Sequence, residues 1–168
     1  MTGPDLVLVG IPGSGKSTVA EVLAERWGVP LVDVDRLVED QLGSSAEEFF
    51  AGSGEAAYRE IEERASLAAL AGPGVVVLGS GAVDLAPVRA ALAGSPVVWL
   101  RASVATVTRR LGMNTLGMEA LVAIRDRLGA LLAGRAPLYE AVATLAVDTD
   151  RRSAAEVADA ISRARSVG

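Results

Sequence analysis

The chain contains no cysteine and no histidine. These two absences exclude disulfide bonds, thiol nucleophiles, zinc sites built from Cys and His, and Ser-His-Asp catalysis. Any proton transfer must therefore use Asp, Glu, Lys, Tyr or water. Aromatic residues make up only 4% of the 168 residues, so the hydrophobic core must be built from Val, Leu, Ile and Ala.

Lysine is also scarce, since 15 of the 16 basic residues are Arg and Lys16 is the remaining one. Lys16 therefore marks a position where arginine would be a poor replacement. The net charge of −5, with no basic tail, argues against nucleic-acid binding. No apolar run reaches the roughly 18 residues of a membrane span. Residues 1–4 lack a signal-peptide pattern, so we expect a cytoplasmic protein.

Short apolar runs alternate with helical patterns along the whole chain. This alternation predicts one α/β domain over residues 1–168, with a parallel sheet covered on both faces. Strands are predicted at Leu6–Val9, Leu31–Val34, Val75–Leu78, Val97–Leu100 and Thr144–Val147. Helices are predicted at Lys16–Trp27, Arg36–Leu42, Ala46–Phe50, Glu55–Ala71, Leu85–Leu92, Val104–Leu111, from residue 118 to about Leu132, at Leu138–Val142 and at Ala154–Arg165.

Two glycine-rich breaks interrupt this alternation, at Gly43–Gly54 and Gly112–Gly117. Loops of this kind often act as mobile covers over a site.

Residues 10–18 fit the phosphate-binding pattern G-x-x-x-x-G-K-[ST] in full, between a predicted strand and a predicted helix. Glycines let backbone N–H groups curl around phosphate oxygens, and the helix N-terminus attracts negative charge. Lys16 would place a compact charge at the β- and γ-phosphates, and the Ser17 hydroxyl would bind Mg²⁺. An ordinary glycine turn is the structural alternative. The predicted ATP-binding residues are Gly13, Ser14, Gly15, Lys16, Ser17 and Thr18. The chain length favours a small-molecule or nucleoside-monophosphate kinase.

Asp33 and Asp35 stand at the carboxyl end of the second predicted strand, where ligands bind in such sheets. Alternate residues of a strand point the same way, so both carboxylates should face one site. One would hold magnesium through water, and the other would deprotonate an acceptor hydroxyl. The alternative is that Asp35 caps the helix beginning at Arg36.

Arg59 and Glu62 stand three residues apart on the long predicted helix. They form either a surface ion pair or a carboxylate-binding arginine held by Glu62. Arg135 is a second candidate for binding a carboxylate. The small residues 79–81, which include Ser80 and Gly81, follow the third strand and would let a substrate approach the backbone.

These segments together resemble the shikimate kinases, especially the actinobacterial members. The similarity is carried, in order and spacing, by Gly10–Thr18, Asp33 with Asp35, Phe50 with Tyr58–Glu62, Leu78–Val83 and Arg135–Tyr139. The resemblance implies a P-loop fold like that of nucleoside-monophosphate kinases, with a five-stranded parallel sheet, a substrate-binding region at about 33–62 and a lid at about 112–124. It implies ATP-dependent phosphorylation of the shikimate 3-hydroxyl in aromatic amino-acid biosynthesis, by an enzyme that we expect to be monomeric.

The resemblance also implies residue roles. Lys16 and Asp35 would be catalytic, with Ser17 and Asp33 near magnesium. Arg110 and Arg152 would lie on the adenine side. The residues implied to contact shikimate are Asp35, Arg59, Ser80, Gly81 and Arg135.

Two positions depart from the family pattern. Ser80 replaces the middle one of three glycines, and Gly117 stands where the lid arginine is expected, followed by the atypical Met118 and Glu119. A lid arginine contributes charge to the transferring phosphate. Three hypotheses therefore stay open: a working shikimate kinase, a kinase of a related polyol or cyclitol acid, and an ATP-binding pseudo-kinase with a regulatory role.

Overall fold

The computed structural model describes residues 3–168 of the chain. Five strands form one parallel sheet in the order β2-β3-β1-β4-β5. They are β1 Leu6–Val9, β2 Leu31–Asp33, β3 Val75–Val77, β4 Val97–Arg101 and β5 Leu145–Asp148. The five-stranded parallel α/β sheet predicted from the sequence is thus confirmed.

Helices cover both faces of the sheet. They are α1 Lys16–Trp27, α2 Val34–Leu42, α3 Ala46–Ser53, α4 Glu55–Leu70, α5 Ala86–Ala91, α6 Val104–Arg110, α7 Met118–Val142 and α8 Ala154–Val167, with 3-10 turns at Ala82–Asp84 and Met113–Thr115. Along β1 the side chains alternate between two cores: Leu6 and Leu8 pack with α1 and α8, and Val7 and Val9 pack with α4 and α5. No helix within residues 3–168 is both long enough and apolar enough to span a membrane.

The helix predicted at Ala46–Phe50 is confirmed within the first glycine-rich break and extends to Ser53, so only the ends of residues 43–54 form a loop. Helix α3 begins at a capping box, in which the Ser45 hydroxyl accepts from the Glu48 backbone N–H and the Glu48 carboxylate accepts from the Ser45 backbone N–H. This reciprocal pair satisfies two amide groups that would otherwise lack partners, so the helix forms between the flanking glycines.

Helix α7 is continuous across Pro137, whereas the sequence predicted a helix to about Leu132 and a separate turn at Leu138–Val142. Proline removes its own backbone hydrogen bond to the carbonyl four residues earlier, and its ring crowds that carbonyl, which favours a kink or a break. The fully buried Tyr139 holds the last turns against the sheet, with its ring centroid 5.8 Å from that of Trp99. Tertiary packing therefore outweighs the local signal of a break, and Arg135 lies on a rigid helix.

Candidate active site

The phosphate-binding loop joins β1 to α1 at the carboxyl end of the central strand. Gly13 and Gly15 adopt φ angles of 76° and 96°, a left-handed conformation that only glycine takes easily. A Cβ atom on Gly10 would lie 2.8 Å from both the Leu100 carbonyl oxygen and Ser14 Oγ. The loop therefore requires these glycines, and it ends at the N-terminus of α1, where free N–H groups attract anions.

Lys16 lies under this loop rather than out in solvent. Its Nζ donates to the carbonyl oxygens of Gly10 and Ile11 at 2.7 and 3.0 Å, and the residue is only 9% exposed. Burial lowers the pKa of Lys16 to about 8, although the carboxylates of Asp35 and Asp33 act in the opposite direction. The Lys16 ammonium therefore lies beside the phosphate-binding loop and close to the carboxylates of Asp33 and Asp35.

Asp33 joins the nucleotide side of the site to helix α2. Its Oδ2 accepts a hydrogen bond from Ser17 Oγ at 2.5 Å, and its Oδ1 accepts from the Arg36 backbone N–H at 3.4 Å as the N-cap of α2. A capping carboxylate favours a helix start at the next residue, so β2 ends at Asp33. Two sequence interpretations are thereby wrong, because Asp35 neither shares a strand with Asp33 nor caps the helix.

Asp35 instead lies in the first turn of α2 and faces a cavity of about 250 Å³. Desolvation by the surrounding protein raises the pKa of Asp35, although the side chain keeps solvent access through the cavity. Lys16 opposes this shift, and the carboxylates of Glu62, Asp33 and Glu39 reinforce it. The remaining lining residues are Glu39, Ala46, Phe50, Tyr58, Arg59, Glu62, Ser80, Gly81 and Arg135.

Arg59 is fixed in the cavity wall by a buried partner. Its Nη1 donates to Glu62 Oε2 at 2.5 Å, and Glu62 is only 2% exposed. The pair is therefore not a surface ion pair. A Cβ on Gly79 would lie 2.5 Å from Glu62 Oε1 and 2.6 Å from Asp35 Oδ1, and one on Gly81 would collide with the Arg59 guanidinium. Glycine at both positions lets the strand end approach these side chains closely.

Arg135 reaches the same cavity from α7. Its Nη2 and Nε donate to Asp84 Oδ2 at 3.1 and 3.3 Å, and its Nη1 donates to Ser80 Oγ at 3.4 Å. The Tyr139 hydroxyl donates to the Ser80 carbonyl at 2.7 Å, which fixes the turn after β3. The Arg135 guanidinium also contributes to the lowered pKa of Lys16, so it lies near the phosphate-binding loop.

A second cavity of about 350 Å³ lies on the other side of the loop. Arg110 lines it and is held firmly, because Nη1 donates to the Ser14 carbonyl at 3.0 Å and Nη2 to the Thr149 carbonyl at 2.8 Å. Arg152 lines the same cavity and is exposed. The loop residues in its wall are Gly13, Ser14, Gly15 and Thr18.

Three polar residues of the acceptor cavity and its support were missing from the predicted site: Glu39, Tyr58 and Asp84. Tyr58 was given no role in the site, although its spacing of four from Glu62 places both on one side of α4. Asp84 carried no signal, because it meets Arg135 only through the fold, 51 residues away.

A complete phosphate-binding loop beside a cavity lined by carboxylates and arginines defines a small P-loop phosphotransferase. A family model described as "Shikimate kinase" matches residues 12–165. A shikimate kinase from Mycobacterium tuberculosis is 51% identical over 154 residues, covering 89% of this chain and 86% of the relative. One from Thermobifida fusca is 42% identical over 161 residues, covering 95% and 94%.

The solved structure of an Acinetobacter baumannii shikimate kinase in complex with shikimate superimposes with a TM-score of 0.83. It is 28% identical and covers 99% of this chain and 94% of its own. The protein therefore belongs to the shikimate kinase family, as its sequence motifs predicted.

Proposed function

We propose that this enzyme transfers the terminal phosphoryl group of ATP to the 3-hydroxyl of shikimate. The observation that carries the proposal is that two kinds of charged group line the acceptor cavity. Arg59 and Arg135 supply positive charge, and Asp35 and Glu39 supply carboxylates, with Lys16 nearby. Shikimate combines one carboxylate with ring hydroxyls, and the cavity offers a cation for the first and hydrogen-bond acceptors for the second.

The donor would bind across the loop. The N–H groups of the loop and of α1 would hold the phosphates, and Lys16 would leave the Gly10 and Ile11 carbonyls to pair with them. Phosphate charge would restore full protonation of Lys16, whose pKa is about 8 in the free protein. Arg110 and Arg152 would flank the adenine in the cavity of about 350 Å³.

The oxygen donors present suit Mg²⁺, since the Ser17 hydroxyl and the Asp33 carboxylate lie 2.5 Å apart on the phosphate side. Magnesium uses few protein oxygens and takes phosphates and water as its other ligands. Bound there, Mg²⁺ would neutralise charge on the phosphates.

Asp35 would act as the base. It takes the proton as the acceptor oxygen bonds to the γ-phosphorus and the bond to the β-phosphate oxygen breaks, releasing ADP. Its raised pKa makes it a stronger base than an aspartate with the ordinary pKa. Arg59, held by Glu62, and Arg135, held by Asp84, would grip the carboxylate with their remaining N–H groups.

The test is a coupled assay of ADP release with purified enzyme, ATP and magnesium. Shikimate should support turnover, and quinate and gluconate should support much less. Lys16→Ala should abolish transfer and still fold, because Lys16 contacts loop carbonyls rather than the core. Near wild-type turnover by this variant would refute the role of the loop, and preference for quinate or gluconate would refute shikimate as the acceptor.

Size-exclusion chromatography would test our expectation that the enzyme is a monomer.

A further inference from the structure

Tyr58 lies in the wall of the acceptor cavity, although nothing in the proposed reaction uses it. It stands on α4 beside Arg59 and one turn before Glu62, and it is only 4% exposed. Its ring packs edge-on against Phe50, with centroids 4.7 Å apart at 73°, and against Phe49 at 6.3 Å. Helix α3 therefore fixes the ring and leaves little freedom to the hydroxyl.

The Tyr58 hydroxyl makes no hydrogen bond to any group within residues 3–168. Its oxygen is not among the fully buried side-chain atoms that lack a partner, so it is accessible from the cavity. The Tyr139 hydroxyl differs, because its Oη donates to the Ser80 carbonyl at 2.7 Å. Burial, together with the carboxylates of Asp35, Glu62 and Glu39, raises the pKa of Tyr58 to about 12, although Arg59 acts in the opposite direction. Tyr58 therefore presents a neutral O–H group to the cavity across the physiological range.

We propose that the Tyr58 hydroxyl forms a hydrogen bond with a non-reacting ring hydroxyl of the acceptor and so selects for polyhydroxylated ring acids. This inference rests on the proposed function. A ring hydroxyl fits better than the substrate carboxylate, because Asp35, Glu39 and Glu62 surround Tyr58 with negative charge. A hydroxyl can also accept from Tyr58 and donate to a carboxylate at the same time.

Such a contact would discriminate against substrate analogues that leave the Tyr58 hydroxyl without a partner. A site built to bond a substrate hydroxyl disfavours an analogue that lacks it, since a buried polar group then loses its partner. Tyr58→Phe removes one oxygen and keeps the ring against Phe50. We therefore expect the Michaelis constant and the calorimetric dissociation constant for shikimate to rise about 3- to 10-fold, with turnover within about twofold.

The decisive measurement uses 4-deoxy- and 5-deoxyshikimate, each lacking one non-reacting hydroxyl. One of them should bind wild type and Tyr58→Phe equally, because its missing hydroxyl is the partner of Tyr58. The other should retain the 3- to 10-fold difference. An unchanged constant for shikimate in Tyr58→Phe, or an equal loss with both analogues, would overturn the inference.

Tyr139→Phe is the matched control. It removes a hydroxyl with an internal partner, so it should lower the melting temperature, and Tyr58→Phe should not. A comparable loss of melting temperature in Tyr58→Phe would show that its hydroxyl is structural and overturn the inference. If wild type fails to phosphorylate shikimate, the proposed function fails first. If wild type is active and Tyr58→Phe is unchanged, only the inference fails.

Discussion

At the scale of single residues, Asp35 has the surroundings of a general base. It lies in the first turn of α2, at the mouth of the acceptor cavity, and within the field of Lys16. Its pKa is raised mainly by desolvation, and a base is more effective as its pKa approaches the working pH. Asp33 has a different task, because its two oxygens are engaged with Ser17 and the α2 N-terminus.

Asp35→Asn should therefore lower turnover by about 100-fold or more and leave the affinity for ATP within about twofold. Activity should fall with acid as Asp35 becomes protonated, and the raised pKa places this limb above the ordinary pH 3.8. The check is the pH profile of kcat/KM together with calorimetric titration of ATP. Glu39→Gln, a carboxylate in the same cavity wall, is the control and should lose much less turnover. An equal loss of ATP affinity would assign Asp35 to the donor side.

The two cavity arginines depend on geometry as well as charge. Arg59→Lys and Arg135→Lys should each raise the Michaelis constant for shikimate by about 10-fold, because lysine keeps the charge and loses the planar fork. Steady-state titrations check this. Arg64→Lys, on the exposed side of the same helix as Arg59, should change nothing. Unchanged constants for either cavity variant would remove that arginine from the acceptor site.

Single site residues could be predicted from the sequence where they belong to a short motif. Gly13, Ser14, Gly15 and Thr18 were predicted and line one cavity, and Arg59 and Arg135 were predicted and line the other. Asp84 could not be predicted, because its contact with Arg135 joins a turn after β3 to α7. The depth of Lys16, and hence its lowered pKa, likewise depends on long-range packing that one sequence does not reveal.

At the scale of elements, the errors share one physical cause. Val34 was predicted as the last residue of a strand because it continues an apolar run, yet the capping hydrogen bond of Asp33 makes Val34 the first residue of α2. A helix was predicted to end at about Leu132, yet α7 continues through Pro137 to Val142, where the buried Tyr139 packs against the sheet. Local patterns located the elements correctly. Hydrogen-bond and packing energies from other parts of the chain decided where the elements end.

The segment at about 112–124, which the family resemblance implies is a lid, offers a position where a charge can be added. Gly117 is the N-cap of α7, with φ near −58°, and a Cβ there would meet nothing within 4 Å. The neighbouring Leu116 and Met118 are exposed, as is Glu119. An arginine at residue 117 should therefore cause neither strain nor collision. Arg110 is a poor substitute for it, because it is held by the Ser14 and Thr149 carbonyls.

Gly117→Arg should raise turnover on shikimate by on the order of tenfold or more, the effect of one charge contact in the transition state. The gain should appear in kcat and not in ATP affinity, because the contact strengthens as charge moves. Gly129→Arg, on the same helix with equally open space, adds the same charge elsewhere and should have little effect. An already fast wild type that Gly117→Arg leaves unchanged would show that another residue supplies the charge.

At the scale of the whole molecule, several charged side chains lie at the carboxyl edge of the sheet, and burying the charge of Lys16 lowers the stability of the fold. Burial lowers the pKa of Lys16 from 10.5 to about 8, so the folded chain binds fewer protons than the unfolded chain between these pH values. Stability contributed by this group must therefore rise with pH across that window. Below about pH 8, Lys16 is protonated in both states, and the buried ammonium lowers the free energy of unfolding by its full amount.

Lys16→Met should consequently stabilise the fold while abolishing turnover. The shift in pKa corresponds to roughly 3 kcal/mol, and loss of the bonds to the Gly10 and Ile11 carbonyls reduces the gain, so we expect an increase of about 1–3 kcal/mol in the free energy of unfolding at pH 7. Urea denaturation at pH 7 and pH 10 measures it. The gain should shrink at pH 10, where wild-type Lys16 is neutral in the folded state and largely released from its cost.

Lys16→Arg is the matched control, because guanidinium stays protonated and should keep the cost at both pH values. A stabilisation by Lys16→Met that is the same at pH 7 and pH 10 would point to the packing of its side chain. A variant less stable than wild type at pH 7 would show that the carbonyl contacts outweigh the buried charge. The expected result, a more stable and inactive protein, would identify the phosphate-binding lysine as a residue whose charge opposes folding and serves catalysis.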